Sequence, residues 1–328
     1  MIRSLRNGIG FLMLCLPMGE QIGFGKNDKK SVKSVSNRRL LAMPAAEWSA
    51  ETLNQVLRGV SSGPGGFLLL AGDKPEVIFL PFREKATSRD ERFGKLTDSK
   101  RFALKTGVTD TIFVGGGLSG EKFFALDGSS LIMHAFDSKT LDPIISHSLV
   151  WDTVRPASDA KGLAPKREVA SIRSRWGDAW KKAKAPKISA ISEMPSTWGK
   201  SADKRFLAIT SMAQFPIAEI VCSSDEPTRC RIDQSCFVEG FDPKVQITAL
   251  TVDPVRREVL LGIDRAIYAY KYNSCFHISA VKGRQWLIPD AISGISGLLV
   301  ENGRLWLTAP LRDGFLNASL YGWPAGSW

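Results

Sequence analysis

The sequence predicts an all-β fold made of repeated units, because one short pattern returns three times in the second half of the chain. The copies are Ile-Ser-Ala-Ile at 188–191, Ile-Thr-Ala-Leu at 247–250 and Ile-Ser-Gly-Leu at 295–298. Each copy is followed by a polar turn and by a second apolar strand that a charged residue leads. Units of four short strands over about 40–45 residues are typical of propeller blades. We therefore predict a β-propeller of five or six blades, with one helical insertion.

The first 25 residues predict a signal peptide. Arg3 and Arg6 precede a short apolar stretch at 9–16, and Gly23-Phe24-Gly25 offers a cleavage site flanked by small residues. The apolar stretch is much shorter than the roughly 20 residues that span a bilayer, so a transmembrane anchor is not expected. A buried strand or helix at the start of the chain is the alternative interpretation.

Residues 26–60 predict a basic leader followed by a short helix. The leader has six basic residues and one acid between Lys26 and Arg39. Ser49 can accept hydrogen bonds from the free amides of a first helical turn, and Leu53 and Leu57 would then share one side of the helix. The Ser-Ser-Gly-Pro-Gly-Gly run at 61–66 is expected to break regular structure, and we assign 61–328 to the propeller.

The region 246–288 predicts the most complete blade. It contains four short apolar strands, at 247–252, 259–263, 266–272 and 284–288, and Asp253-Pro254 favours the first turn between them. An earlier unit is expected over 112–149. The final unit begins at Ile295 and contains three visible strands, so we expect the N-terminal part of the chain to supply its fourth strand and close the ring.

Residues 151–187 do not follow the strand pattern and predict the helical insertion. Val169, Ile172, Trp176 and Trp180 would lie on one face of a helix over 166–184, with basic residues around them. Such a helix can bind an anionic membrane surface or a partner. It can also pack on the propeller with its basic residues in water, which is the interpretation that we favour.

Cysteine usage agrees with export. Without the signal peptide, four cysteines remain, at Cys222, Cys230, Cys236 and Cys275. An even number in an exported chain predicts two disulfides, for which three connectivities exist. We expect Cys222 to pair with Cys230 and Cys236 with Cys275. A zinc site is the minor alternative, because the spacing lacks paired C-x-x-C motifs.

Net charge alone does not assign a partner. The chain carries a formal charge of +11, which could favour nucleic acid or another polyanion. The excess is concentrated in the leader and in the insertion, which is more typical of solvated surfaces than of a nucleic-acid groove. Nucleic acid is therefore disfavoured as a partner.

No standard catalytic motif is present in the sequence. His147 lies beside Ser146 and Ser148, with Asp142 and Asp152 close in sequence, but strand neighbours point to opposite faces and cannot pair directly. His134 is expected to be a core or edge residue, and Gly115-Gly116-Gly117 a turn. Trp306 is expected in the core. A glycan platform is a minority hypothesis, and its candidates are Trp151, Trp198 and Trp286.

The blocks at 295–298 and 305–307, with Asp253-Pro254 followed by the apolar run 259–261, resemble bacterial secreted propellers of the phytase-like and lactonase-like kinds. The resemblance covers about the last 140 residues. It implies the propeller fold and no active-site residue, because the acidic cluster that those hydrolases place around a central calcium-type site is not found at the corresponding strand starts.

Our first functional hypothesis is a periplasmic or secreted binding or scaffolding module with a protein or glycan partner, no cofactor and no identified catalytic residue. The alternative is a divalent-cation-dependent hydrolase of phosphoesters, esters or lactones. Its calcium ligands would be carboxylates, because hard cations prefer several oxygen ligands, and the candidates are Asp110, Asp127, Asp253 and Asp264. A third hypothesis uses the 166–184 helix for peripheral membrane contact. Whether the chain is an enzyme is left open.

Overall fold

Strands and tight turns make up nearly all of the chain that the computed structural model describes. The described residues are 40–46, 48–50, 57–63, 66–71, 76–81, 100–103, 111–116, 122–137, 142–149, 187–198, 203–211, 216–226, 228–236, 238–242, 244–275, 277–290, 292–301, 303–309, 320–324 and 326–328. They belong to one compact unit. The predicted signal peptide, most of the basic leader and the predicted helix at 166–184 lie outside these residues.

The described strands form five antiparallel meanders. Two short strands come first, β1 (Leu41–Ala42) and β2 (Trp48–Ala50). The first sheet contains β3 (Leu57–Gly63), β4 (Gly66–Ala71), β5 (Glu76–Pro81) and β6 (Lys100–Ala103), and the second contains β7 (Thr111–Gly116), β8 (Lys122–Asp127), β9 (Ile132–Asp137) and β10 (Pro143–Ser148). The third contains β11 (Ile188–Glu193), β12 (Lys204–Thr210), β13 (Ile217–Cys222) and β14 (Cys230–Cys236), with a 3₁₀ turn at Ser196–Trp198.

The last two sheets each borrow a strand from the start of the described chain. The fourth sheet contains β15 (Ala249–Asp253), β16 (Glu258–Ile263), β17 (Ala266–Ser274) and β18 (His277–Leu287), and β1 adds to β18 in parallel. The fifth contains β19 (Gly297–Glu301), β20 (Arg304–Thr308) and β21 (Leu320–Trp323), and β2 adds to β21 with Ser49 opposite Tyr321.

We call the strand that begins each meander its first strand: β3, β7, β11, β15 and β19. These five first strands close into a ring. Within the described residues, β3 contacts β7, β7 contacts β11, β11 contacts β15, β15 contacts β19, and β19 returns to β3. Meanders arranged radially around a central channel are the β-propeller architecture. The predicted propeller fold is therefore confirmed, and β2 supplies the missing fourth strand of the last sheet, as the sequence analysis expects.

The predicted helix beginning at Ser49 is wrong at both of its described ends. Ser49 lies within β2 and Leu57 begins β3, which pairs with β4 from Leu57 opposite Ala71 to Gly63 opposite Gly66. Local apolar spacing favours a helix here, but pairing with the partner strands decides the conformation, because tertiary contacts commonly outweigh local propensity. The expectation that 61–66 breaks regular structure is wrong for 61–63, which belong to β3, and for Gly66, which begins β4.

Five apolar clusters fill the five spaces between neighbouring sheets. Leu68 and Phe136 belong to the cluster between the first and second sheets, and Phe67 belongs to the cluster between the fifth and first sheets. There the ring of Phe67 lies 4.7 Å from that of Trp306 in an edge-to-face arrangement, an orientation that aromatic pairs prefer. The expectation that Trp306 lies in the core is correct. Each sheet is therefore packed between two apolar clusters, and it meets solvent at its outermost strand and at the channel.

The first strands approach one another so closely that their channel positions require small side chains. A Cβ atom on Gly297 of β19 would lie 2.5 Å from Thr308 Oγ1 and 2.7 Å from the Cα of Gly59 on β3. Across that contact, Ser296 Oγ donates a 2.6 Å hydrogen bond to the Leu57 carbonyl. Gly297 is the third residue of the repeated pattern, so in this copy the absence of a side chain is a packing requirement.

Two disulfides join the described cysteines. Cys222 is bonded to Cys230 across the β13–β14 hairpin, and Cys236 at the end of β14 is bonded to Cys275 between β17 and β18. These are the pairs that the sequence analysis expects. None of the described residues forms a helix long and apolar enough to span a membrane.

Replacing Gly297 with alanine is expected to lower the free energy of unfolding by about 1–3 kcal/mol, because the added methyl overpacks the β19–β3 contact. Denaturant unfolding measures the change. Gly59→Ala is the matched control on the other side of the same contact, since its Cβ would meet nothing within 4 Å. We expect the stability of Gly59→Ala to be unchanged or raised by up to about 1 kcal/mol. Equal losses in the two variants would contradict this account of the ring.

Removing the Cys236–Cys275 bond is expected to cost more stability than removing the Cys222–Cys230 bond. The bonded residues are 39 positions apart in the first case and 8 in the second, and the chain-entropy relation gives losses of about 4 and about 2.5 kcal/mol. Paired Cys→Ser variants of each bond, compared by denaturant unfolding, test the order. Intact-mass analysis after alkylation of the native protein should find no free thiol among these four cysteines.

Candidate functional site

A cavity of about 270 Å³ lies where the first strands begin around the channel. We call it the channel-mouth cavity. Four of the five first strands contribute to it through their opening residues: 58–60 of β3, 188–191 of β11, 249–250 of β15 and 296–298 at the start of β19. Ser129 in the β8–β9 turn lies at its rim and is exposed. The repeated pattern therefore forms most of the wall of the cavity.

The structure adds a fourth copy of the pattern, Leu57-Arg58-Gly59-Val60, which the sequence analysis missed. Leu57 and Val60 are buried, as are the first and last residues of the other copies, and Gly59 takes the place of Ala190, Ala249 and Gly297. The signal was available in the sequence, since apolar-polar-small-apolar is the shared pattern. Because the sequence analysis assigned Leu57 to a helix, it did not identify this copy or the basic residue Arg58 at its second position.

The channel-mouth cavity carries positive charge. Arg58 and Lys187 line it, both are exposed, and none of its described lining residues is an Asp or Glu. The backbone of Lys187 is fixed to the end of β12, because its amide donates to Ser211 Oγ at 3.0 Å and its carbonyl accepts from the Ser211 amide at 2.8 Å. Clefts lined by charge of one sign attract ligands of the opposite sign.

A second cavity, of about 300 Å³, lies between the third and fourth sheets, and we call it the side cavity. Its wall includes the end of β12, Pro216, and the connection from β14 to β15 at 241 and 244–247. Lys244 and Gln246 are exposed on that connection. Lys187 and Ser189 line both cavities, so the two cavities adjoin along the start of β11.

The carboxylates proposed as calcium ligands hold turns in this structure. Asp127 Oδ1 accepts from the amides of Ser129 at 2.9 Å and Ser130 at 3.1 Å. Asp253 Oδ1 accepts in the same way from the amides of Val255 and Arg256, and its Oδ2 lies 2.9 Å from Arg256 Nη1.

The other two proposed calcium ligands are Asp264 and Asp110. Asp264 is exposed at a tight turn, with φ of 52°, and Asp110 lies outside the described residues. No group of three metal-binding side chains occurs in the described part of the chain.

Two of the three described histidines, His134 and His147, connect strands and sheets. His134 Nδ1 lies 2.8 Å from the Oγ of Ser146, its partner on the edge strand β10. Burial lowers the pKa of His134 and the charge of Asp127 opposes this, so the ring is neutral near pH 7. This serine is the neighbour of His147 in the sequence, and it pairs with the other histidine because alternate strand residues point to opposite faces.

His147 reaches the next sheet. Its Nδ1 lies 2.8 Å from Thr228 Oγ1, and its Nε2 lies 3.2 Å from Glu226 Oε1. Both partners belong to the loop that the Cys222–Cys230 disulfide closes. The histidine therefore joins the second sheet to the third. Asp142 is exposed, and Asp152 lies outside the described residues.

A buried ionic cluster lies between the third and fourth sheets. Glu219 of β13 is fully buried and forms an ion pair with Arg205, the charged residue that leads β12. Burial raises the pKa of Tyr272 well above its ordinary value, and the neighbouring Glu219 carboxylate raises it further. A neutral phenol is then the form that hydrogen-bonds to the carboxylate. This cluster is too enclosed to meet a ligand, and it fixes the two sheets.

The tryptophans considered for a glycan platform are packed inside the protein where the structure describes them. Trp198 is 9% exposed, with its ring stacked 5.2 Å from that of Tyr272. Trp286 is 5% exposed and packs edge-to-face against Trp328. The platform hypothesis is therefore wrong for these two residues. Trp151 and the proposed interaction residues Val169, Ile172, Trp176 and Trp180 lie outside the described residues.

Comparisons with known proteins give distant structural likenesses. No protein-family model and no curated protein matches the chain. It is similar to the β-propeller domain of Cps50 (Swd1) from Myceliophteria thermophila, at 10% identity over 82% of this chain and 70% of that one, with a TM-score of 0.39. It is also similar to the glutaminyl cyclase of Myxococcus xanthus, at 9% identity over 84% and 94%, with a TM-score of 0.42.

A third likeness is to a chain in a nidogen/laminin complex, at 11% identity over 78% of this chain and 70% of that one, with a TM-score of 0.36. Likenesses of this kind transfer neither an activity nor a partner. The fold assignment rests on the ring of meanders described above, and function has to be argued from the cavities.

Replacing Asp253 with alanine is expected to lower the free energy of unfolding by about 2 kcal/mol, because two amides and one guanidinium lose their charged acceptor. We expect neither calcium nor EDTA to shift the melting temperature of the wild type. Asp290→Ala is the matched control, since the Asp290 side chain is 94% exposed and its ion pair with Arg265 should contribute little. A calcium-induced rise in melting temperature that Asp253→Ala abolishes would contradict the turn role and favour the hydrolase alternative.

Proposed function

We propose that this chain is an exported β-propeller that binds a protein partner at the channel mouth. The observation that carries the proposal is the channel-mouth cavity itself. It is built by the opening residues of four first strands, it is reached from solvent past Ser129 and Ser189, and it presents Arg58 and Lys187. Concave sites with a few placed polar groups on a rigid scaffold are the usual form of binding sites.

The rigidity of the scaffold supports a binding role. The walls of the cavity belong to strands whose Ile and Leu side chains are buried between sheets, and hydrogen bonds tie neighbouring strands across the ring. One of these bonds runs from the Val300 amide to Thr251 Oγ1, at 3.1 Å. A site on such elements keeps its shape without a ligand, which reduces the entropy lost on binding.

Export is proposed from the cysteines and from the sequence of the first 25 residues. Disulfides persist in oxidising compartments and are rare in the cytosol. The structure joins all four cysteines described, in two bonds. A periplasmic or secreted location follows, and a partner would be met there.

The hydrolase alternative receives less support from the described residues. Asp127 and Asp253 accept hydrogen bonds within their own turns, and the described lining of the channel-mouth cavity contains no carboxylate. Calcium would need several oxygen ligands that converge on one point. We therefore favour binding over hydrolysis for this site.

Site-specific photocrosslinking in the organism that produces the chain tests the proposal. A photoreactive benzoylphenylalanine at Ser129 should form an adduct of discrete mass in the exported fraction, because Ser129 lies at the rim of the cavity. An excess of unmodified protein should compete the adduct away.

Val255 is the matched control position. It is 82% exposed and lies in the β15–β16 turn, at the opposite end of β15 from the cavity. No adduct at Ser129, or the same adducts at both positions, would overturn the proposed site.

A further inference from the structure

We infer that the channel-mouth cavity and the side cavity form one site that takes an acidic, extended peptide segment. The inference rests on the proposed function and names the chemistry of its ligand. It would place one part of the segment over the channel and the next part outward between the third and fourth sheets.

The two cavities adjoin at the start of β11. Lys187 and Ser189 line both of them and both are exposed. The two hydrogen bonds between Lys187 and Ser211 fix the backbone at this point, so the lysine projects from a rigid position. A ligand that contacts Lys187 from one cavity is therefore adjacent to the other.

The charge of the combined lining has one sign among the described residues. Arg58 lies in the channel-mouth cavity, Lys244 in the side cavity and Lys187 in both, and neither lining includes a carboxylate. Four acids lie within two residues of the linings in sequence, Asp127, Glu193, Glu239 and Asp242, and two of them hold turns. Asp127 accepts from backbone amides as described above, and Asp242 Oδ1 accepts from the Lys244 amide at 2.9 Å. One carboxylate oxygen of each of these two aspartates is engaged with the backbone, and the three cations are lining residues of the cavities.

The cations are distributed over both cavities. Arg58 lines the cavity of about 270 Å³, Lys244 lines the cavity of about 300 Å³ and Lys187 lines both, so the positive charge follows the combined lining and is not gathered in one cavity. A segment with several acidic side chains can place one against each cation, with charge-assisted hydrogen bonds.

The remaining lining suits a peptide. The side cavity has apolar surface from Ile209, Pro216 and Phe241, against which the aliphatic part of a glutamate can pack. Ser189 and Gln246 are exposed hydroxyl and amide groups that can pair with the backbone of an extended chain. Acidic motifs recognised by clustered cations are one of the recurring modes of peptide binding.

Fluorescence anisotropy with labelled octaglutamate, at physiological ionic strength, tests the inference. The wild type should bind octaglutamate and should not bind labelled octaglutamine. Lys187→Glu and Lys244→Glu should each weaken binding by about tenfold or more, because each reverses a charge at the site. Both lysines are exposed, so melting temperatures close to that of the wild type verify that the variants are folded.

Lys282→Glu is the matched control. Lys282 is an exposed lysine of β18 that lines neither cavity, and the charge change is the same. Its affinity for octaglutamate should stay within about twofold of the wild type. An equal loss in Lys282→Glu and Lys187→Glu would assign the attraction to the net charge of +11 and overturn the inference.

Two further outcomes separate this inference from the proposed function. Binding of free glutamate as tightly as octaglutamate would mean that the site takes a single anion, which overturns the extended segment. Failure of octaglutamate to bind, with the Ser129 crosslink retained, would overturn the acidic chemistry and leave the binding site standing.

Discussion

The close contact of the first strands around the channel is the constraint on which the other features of this protein depend. The contact between β19 and β3 joins residues such as Ser296 and Leu57, which are 239 positions apart in the chain. Closing so long a loop is entropically unfavourable, so the ring has to be secured by many weak contacts. The five apolar clusters between sheets provide them, and the pairing of β2 with β21 ties the last sheet to the start of the described chain.

The binding site is a consequence of that contact. A side chain at Gly297 would overlap Thr308 and Gly59, and the small third residues of all four copies line the channel-mouth cavity. The second residue of each pattern is polar, and its surroundings differ between the copies. Two of these residues are used inside the ring, since Ser296 Oγ bonds to the Leu57 carbonyl and Thr248 Oγ1 bonds to the Gly262 carbonyl. Arg58 and Ser189 are exposed to solvent.

The third and fourth sheets carry the strongest cross-links, and the side cavity lies between them. Cys236 and Cys275 join the two sheets covalently, and Val238 forms a bridge to Ile278 just beyond. These contacts hold the connection that brings Lys244 to the side cavity. The buried ion pair of Arg205 and Glu219 lies within the third sheet, and Glu219 contacts Tyr272 of the fourth sheet. Breaking one partner of the pair would leave an unpaired charge in the core.

The sequence by itself determined the meander strands of the second half and the need for an N-terminal strand in the last sheet, because these follow from alternation and turn residues. The number of cysteines predicted two disulfides, and the structure selects the expected pairs among three connectivities. The sequence also marked the charged residues that lead second strands, two of which, Arg205 and Glu258, pair with Glu219 and Arg284. It misassigned Ser49 and Leu57 to a helix, and the strand that contains Ser49 pairs with β21, which lies far along the chain and gives no local signal. Only the tertiary structure decided that Leu57–Val60 is a fourth copy of the pattern and that Asp127 and Asp253 hold turns. It also brought Arg58, Lys187 and Lys244 to adjoining cavities, because the closure of the ring sets the distances between residues of different sheets.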